Sequence, residues 1–412
     1  MFDVAVVGAG PGGAAAAHLL AGAGLRTLLL DRARFPRDKT CGDGLTPRAV
    51  AVAREMGALP ELLRAGYRID DFEVVAPSGR TAVAPLSEWD GVPALVVPRL
   101  ELDDILRRRA LAAGAEFVDE CAIEDLALDR DGVTLTGWRA HRPFTAQARI
   151  VVVATGAAIG LLERAHLLRR RPEFMVAARQ YVDGLPAPPR RLRMGYAGTS
   201  VLGYGWVFPA SASSVNLGAG IFRRQPGLSA GGVLSTFLDQ STLTRHVAGG
   251  HRGGVKSYPL RTDFATSRTH GERVLLVGEA AGLVNPLSGE GIDAALESGR
   301  IAGRHVLEML ERGRFDRAAG EAYDAELRAR YQQVFETCTR LRNVFVHRRG
   351  AFQRVAVEAA VWMAQTNPRL APRLVELVLE NQPIPVPTSP LGLARSWLRR
   401  APPRSPEPAP LG

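Results

Sequence analysis

Apolar runs and their spacing divide this chain into elements before any single residue is considered. Val4, Ala5, Val6 and Val7 form a short apolar run, residues 27–30 form another, and an alanine-rich stretch reaching Leu20 lies between them. The pattern predicts a buried strand, a glycine turn, a helix and a second buried strand that ends at Asp31. Residues 150–153 and 274–277 are equally unbroken, as central strands of a parallel sheet buried on both faces are. After 274–277 a helix is expected from Gly291 towards Leu310. Residues 72–76 and 81–84 flank a Pro-Ser-Gly turn and read as a hairpin, and residues 96–106 as a short strand and a helix start. Strands are expected again at 116–118, 122–128 and 133–136, the last two separated by Asp129, Arg130, Asp131 and Gly132.

From Phe174 to about Leu260 the pattern changes to strand-like pieces broken by Gly and Pro, at 175–182, 191–196, 205–208 and 214–221. A second, sheet-rich unit inserted into the first accounts for the shift. Further on, Leu327, Tyr331, Phe335, Cys338, Leu341 and Phe345 recur at helical spacing, as do apolar residues of 355–363 and 370–379. These predict helices packed on the body; apolar faces that touch a membrane or cover a lipid tunnel are the alternative. Beyond Asn381, nine prolines and a basic segment at 391–400 containing Trp397 suggest an extended linker and a surface anchor.

Composition narrows the function classes. A chain of 412 residues is long enough for more than one core. The formal charge is +10, yet Lys39 and Lys256 are the only lysines, and no basic stripe interleaved with aromatic residues appears. Nucleic acid is therefore not expected as a partner, whereas a basic face suits anionic lipid headgroups. Cys41, Cys121 and Cys338 fit neither a disulfide framework nor a metal site, so no metal is expected and a reducing cytoplasm is. The first residues enter a strand without a basic leader, and no run of about eighteen apolar residues is present to span a bilayer. A cytoplasmic location follows, with peripheral contact on the inner face of the cell membrane as a further reading. The oligomeric state stays open.

Two separated segments carry candidate chemistry. Gly8 permits a tight turn, Gly10 allows a pyrophosphate to approach the backbone, and Gly13 lets helix pack on strand at a dinucleotide site. Asp31, followed by Arg32, stands where a ribose diol is accepted. The second segment ends a strand at Gly278 and Glu279, placing a carboxylate near a second polyol; Pro286 and the Gly289, Glu290, Gly291 turn then open a helix at Ile292. Its N-terminal amides suit the negative charge of a reduced flavin. Two grips joined by one parallel sheet favour FAD over NAD. Between them, residues 34–50 form a turn-rich loop containing Cys41, Gly42 and Asp43, of a length that is usually functional.

With these residues in hand, the chain resembles the FAD-dependent geranylgeranyl reductase family, which includes menaquinone prenyl-tail reductases and lies within the larger flavoprotein group of the aromatic hydroxylases. The likeness rests on GAGPGG (8–13), FPRDKTCGDGLTPRAV (35–50), RLELDDIL (99–106), YGWVFP (204–209) and GEAAGLVNPLSGEGID (278–293). It implies an α/β fold: a discontinuous Rossmann-type FAD-binding domain (1–71, 94–173 and 261–310) and an inserted antiparallel-sheet substrate domain (72–93 and 174–260). C-terminal helices (311–380) and a Pro-rich tail (381–412) complete the division. The resemblance further implies that Gly8, Gly10, Gly13 and Asp31 hold the adenosine half of FAD, with Arg99 near the phosphates or ribityl chain. Glu279 replaces the family's Asp after Gly278, and Thr155 stands where relatives carry an acid before Gly156. Gly289, Gly291 and Ile292 are expected to border the isoalloxazine, Cys41, Gly42 and Asp43 its substrate side, and Tyr204, Trp206 and Phe208 a prenyl pocket.

The reaction implied is hydride transfer from reduced flavin N5 to a double bond of a prenyl chain, with NAD(P)H or another reductant as electron donor. Asp43, Tyr204 or an ordered water are the proton-donor candidates, and Cys41 is a further site candidate. The alternative is an FAD-dependent monooxygenase or epoxidase acting on a terpenoid or aromatic compound. Taken without the resemblance, the alternating Tyr204, Trp206 and Phe208 equally fit an ordinary core face, Cys41 a small buried hydrophobe and Asp43 a turn-former.

Overall fold

The computed structural model describes residues 1–86, 88–172, 174–196, 203–222, 227, 229–347, 351–367 and 370–382. The segment at 391–400 and Trp397 lie outside these. Two large sheets organise the described residues. In the first, Phe2–Val7 pairs in parallel with Thr27–Leu30 on one side and with the end of Arg142–Val153 on the other; Val274–Leu276 and Glu116–Val118 extend it outward, also in parallel. Val4, Ala5, Val6, Leu29, Leu30 and residues 150–153 are buried, as strands covered on both faces require. The helix Pro11–Gly22 follows the glycine turn, and Ile292–Arg312 packs beside it. A Cβ on Gly299 would lie 2.1 Å from the Gly12 carbonyl oxygen, so that contact between helices admits no side chain.

The other large sheet runs in the order His251–Arg252, Phe174–Asp183, Ser214–Ile221, Gly203–Pro209, Arg191–Gly195, Asp71–Val75, Thr81–Pro85, with Lys256–Arg261 also on Phe174–Asp183. Its pairs are antiparallel except Asp71–Val75 with Arg191–Gly195, where a long excursion through the first sheet separates the two strands. The 72–85 hairpin and the strands after 174 thus share one sheet, although about ninety residues separate them. A small third sheet joins Gly44–Leu45, Ala94–Val96 and Tyr67–Ile69.

The strand pattern after Phe174 hides a helix that was not expected there, Ala230–Gln240. Its signal is plain in retrospect: Ser229 accepts the Gly232 amide as a cap, and Ala230, Val233, Leu234 and Phe237 are buried at helical spacing. Phe237 sits where a side chain on Gly205 would be, 2.4 Å from its would-be Cβ. In the C-terminal region, Glu321–His347, Ala351–Thr366 and Leu370–Val378 are helices. Leu327, Tyr331, Phe335 and Cys338 bury against the first sheet, while Val357, Val361, Ala364, Val375 and Leu379 join the apolar cluster of the second. Packing on the body therefore explains these helices. No helix among the described residues is long and apolar enough to cross a membrane.

Candidate functional site

One cavity of about 690 Å³ runs between the two large sheets. It is lined at one end by the glycine turn, Asp31 and Arg32, and at the other by Tyr204, Trp206 and Phe208; Cys41, Gly42, Asp43, Arg99, Gly156, Gly278, Glu279, Gly289, Gly291 and Ile292 lie along it. Gly13 and Pro286 stand behind the wall. Gly13 serves packing: a Cβ there would lie 1.8 Å from the Gly8 carbonyl oxygen. Pro286 is buried in the loop that precedes the Gly289 turn.

The glycine turn fits a dinucleotide. Gly8 has φ +112°, and its Cβ would meet the Ala154 carbonyl oxygen at 2.3 Å. Gly10, by contrast, has only the tip of the Arg37 side chain near its would-be Cβ, at 3.6 Å, so this backbone is approachable from the cavity at the start of the first helix. Asp31 fastens the turn, because Oδ2 accepts from the Ala9 amide (2.9 Å) and Oδ1 from the Ala33 amide (2.9 Å). The carboxylate is thereby held rigidly, with lone pairs left for a diol. FAD fits along the cavity: Gly8, Gly10 and Asp31 would hold its adenosine half, and the Gly289–Ile292 turn, beside Tyr204, its ring system.

Basic residues concentrate beside the glycines. Arg99 is buried and makes a two-pronged pair with Asp103, both contacts 2.7 Å, and Arg37 donates to the same carboxylate at 2.7 Å. Those two guanidinium groups hold the Asp103 carboxyl below its ordinary range despite burial. Glu279 accepts from the Arg261 amide (2.9 Å) and from Lys39 Nζ (3.0 Å). Lys39 and Arg37 lie inside the 35–50 motif, yet nothing in their spacing singles them out; a Lys-Glu pair across 240 residues becomes visible only in the fold.

At the other end, the aromatic strand faces the cavity. Tyr204 and Trp206 are 6.0 Å apart and Trp206 and Phe208 6.3 Å, measured between ring centroids. Tyr204 donates its hydroxyl hydrogen to the Ser288 carbonyl, and burial raises its pKa. Its proton is thus engaged and firmly held. Burial likewise raises the Cys41 thiol, which favours its neutral form.

Asp43 differs from both. It has no exposed surface, a left-handed backbone (φ 66°), and a carbonyl that accepts from the Val97 amide at 3.0 Å. Tyr181 donates its hydroxyl and Asn216 its amide (2.7 Å) to Oδ2, while Oδ1 has no partner. Burial pushes the carboxyl up to about 6. Asn216 also donates to the Cys41 carbonyl (2.7 Å) and accepts from Trp206 Nε1 (3.0 Å), so one buried amide joins the cysteine loop to the aromatic wall. Sequence reasoning missed Asn216 and Tyr181 because they sit mid-strand, without a motif.

A last group closes the ring-binding turn. Asn381, three residues past the last described helix, donates to Glu290 Oε2 (2.7 Å), and Asn285 donates to Asn381 Oδ1 (2.9 Å). Burial pushes the Glu290 carboxyl above its ordinary range, with the neighbouring Asp293 adding to the rise. Leu379 and Glu380 line the cavity here, so the C-terminal helices also cover it.

The FAD binding domain family matches residues 1–158. Menaquinone reductase of Mycobacterium tuberculosis is 35% identical over 82% of this chain and 83% of its own. Digeranylgeranylglycerophospholipid reductase 1 of Methanopyrus kandleri is 32% identical over 82% and 89%. The chain belongs to the FAD-dependent geranylgeranyl reductase family. Membership makes it a flavoprotein and an oxidoreductase. The fold agrees: a geranylgeranyl bacteriochlorophyll reductase-like protein of Thermoplasma acidophilum superposes with a TM-score of 0.70 at 20% identity, over 92% of this chain and 99% of that one. In this flavoprotein the glycine turn and the aromatic strand line one cavity.

Proposed function

We propose that the enzyme reduces a carbon–carbon double bond in the isoprenoid chain of a lipid, of the geranylgeranyl or menaquinone type. The names of its relatives motivate the substrate class, and one observation carries the reading: the cavity joins a dinucleotide cradle to an apolar aromatic wall, with a buried acid, Asp43, along it. FAD, when bound, supplies a hydride from its N5 position. The chain supplies the remainder. An isoprenoid presents almost nothing to hydrogen-bond, so Trp206, Phe208, Leu192 and Met194 orient it by shape, and positioning of this kind can contribute about 7 to 11 kcal/mol. Asp43 holds the proton for the second carbon, because burial makes Tyr204 and Cys41 weaker acids than usual, and the Tyr204 hydrogen is already engaged with the Ser288 carbonyl.

The substrate resides in membranes, and the enzyme meets it from the surface. Val355 and Trp362, seven residues apart on one face of the Ala351–Thr366 helix, are exposed on the element that packs over the substrate-side sheet. With the net positive charge, this face suits an anionic bilayer.

The test is anaerobic. Enzyme, dithionite and either a menaquinone or a geranylgeranyl lipid are incubated, and the lipid is weighed by mass spectrometry. A product heavier by two hydrogens is expected. Unchanged lipid in every case, or a product that gains oxygen only when air is admitted, overturns the proposal.

A further inference from the structure

Asp43 is held on one side only. Both hydrogen bonds to its carboxyl arrive at Oδ2, from Tyr181 on the Phe174–Asp183 strand and from Asn216 on the Ser214–Ile221 strand. Oδ1, equally buried, receives none. A carboxyl oxygen that already accepts two donors is a poor place for a further hydrogen, since the donors would face it; the unpaired oxygen is the favourable one. Tyr181 does not belong to the cavity wall, and the Arg179 guanidinium lies over its ring, 4.5 Å from the centroid. Arg179 is itself paired with Asp38 (2.5 Å), which also accepts from Lys256 (2.6 Å). Tyr181 is thus clamped from behind by an ion cluster. The charged or titratable groups acting on Asp43 are Tyr181 and Arg179 of the first strand, Arg99 of the Arg99–Ala112 helix and Cys41 of its own loop.

We propose that Tyr181 and Asn216 are the positioning residues of this acid: by occupying Oδ2 they fix the transferable proton on Oδ1, the oxygen left without a partner. The inference rests on prenyl reduction as the activity. In the step, the π pair of the alkene bonds the Asp43 proton, the O–H pair stays on the carboxylate, and the other carbon takes the hydride that originates in a two-electron reductant. Water restores the Asp43 proton afterwards.

The sign of the pH effect follows. A general acid acts only when protonated, so turnover falls as pH rises through the Asp43 pKa. Tyr181 and Asn216 stabilise the carboxylate. Removing either donor raises the pKa and moves the alkaline limb of the rate profile upward, by about one pH unit. The experiment compares Tyr181→Phe, Asn216→Ser and wild-type holoenzyme in anaerobic lipid reduction across pH. In parallel, infrared spectroscopy follows the protonated-carboxyl band that Asp43→Asn removes. Both variants are expected to shift the limb and the band midpoint upward together, with flavin content unchanged. An unshifted limb and midpoint in either folded variant overturns the positioning role, even if its rate drops. Failure of the wild type to reduce any prenyl lipid would instead remove the activity itself, while the infrared midpoints still test how Asp43 is held.

Discussion

The two ends of the cavity are built by opposite means. At the cofactor end the contacts are local: Gly8, Gly10 and Gly13 lie within one turn and helix start, Asp31 caps the next strand, and backbone atoms do most of the holding. At the substrate end, Asp43, Tyr181, Trp206 and Asn216 come from four places in the chain and meet only through strand register. The linings differ as well: Arg37 and Lys39 stand with the glycine turn and Glu279, whereas Tyr204, Trp206 and Phe208 form an aromatic wall near the buried Asp43. The cofactor end is written in backbone and glycine; the proposed hydrocarbon end is written in packing.

The largest expected effect breaks the cofactor end. In Gly13→Ala the new methyl would sit 1.8 Å from the Gly8 carbonyl oxygen, so the helix must retreat from the strand. Protein isolated without flavin and with a markedly lower Tm is expected; overpacking of this kind costs about 1–3 kcal/mol or more. Asp43→Asn breaks the other end without touching the first. Its product formation should fall about 10²- to 10⁴-fold, the usual worth of a general acid, with visible flavin absorbance retained.

Trp206→Ala probes the wall. The indole is buried and donates to Asn216, so its loss should destabilise the protein by about 3–5 kcal/mol in denaturant titrations and raise KM for the lipid. Lys39→Met is the mildest. The Lys39–Glu279 pair is partly exposed, and such pairs contribute about 1 kcal/mol or less. Apoenzyme titrated with FAD should show a dissociation constant raised by less than about tenfold, with little change in Tm.

Legibility in the sequence followed the same division. The parallel strands at 4–7, 27–30, 150–153 and 274–277 and the 72–84 hairpin were readable because each is fixed by a short apolar run or a turn residue. The aromatic strand was readable as alternation, and its Tyr204, Trp206 and Phe208 line the cavity. Asn216 was invisible: a polar residue in the middle of a strand is a site only when its neighbours across the sheet are known. The Ala230–Gln240 helix was hidden by the Gly and Pro breaks around it. Asp43 stood out as a motif residue, but its single unpaired oxygen depends on Tyr181, 138 residues away.

The division of labour between a cofactor end that supplies hydride and a substrate end that supplies a proton is tested most directly by flavin reoxidation. Wild-type and Asp43→Asn enzymes are reduced anaerobically with a stoichiometric reductant and mixed with a menaquinone or geranylgeranyl lipid, while flavin absorbance and lipid mass are followed together. Wild-type flavin should regain its colour as lipid two hydrogens heavier appears, and Asp43→Asn should stay bleached over the same interval. Equal recovery in both enzymes, or recovery in neither, would contradict the account.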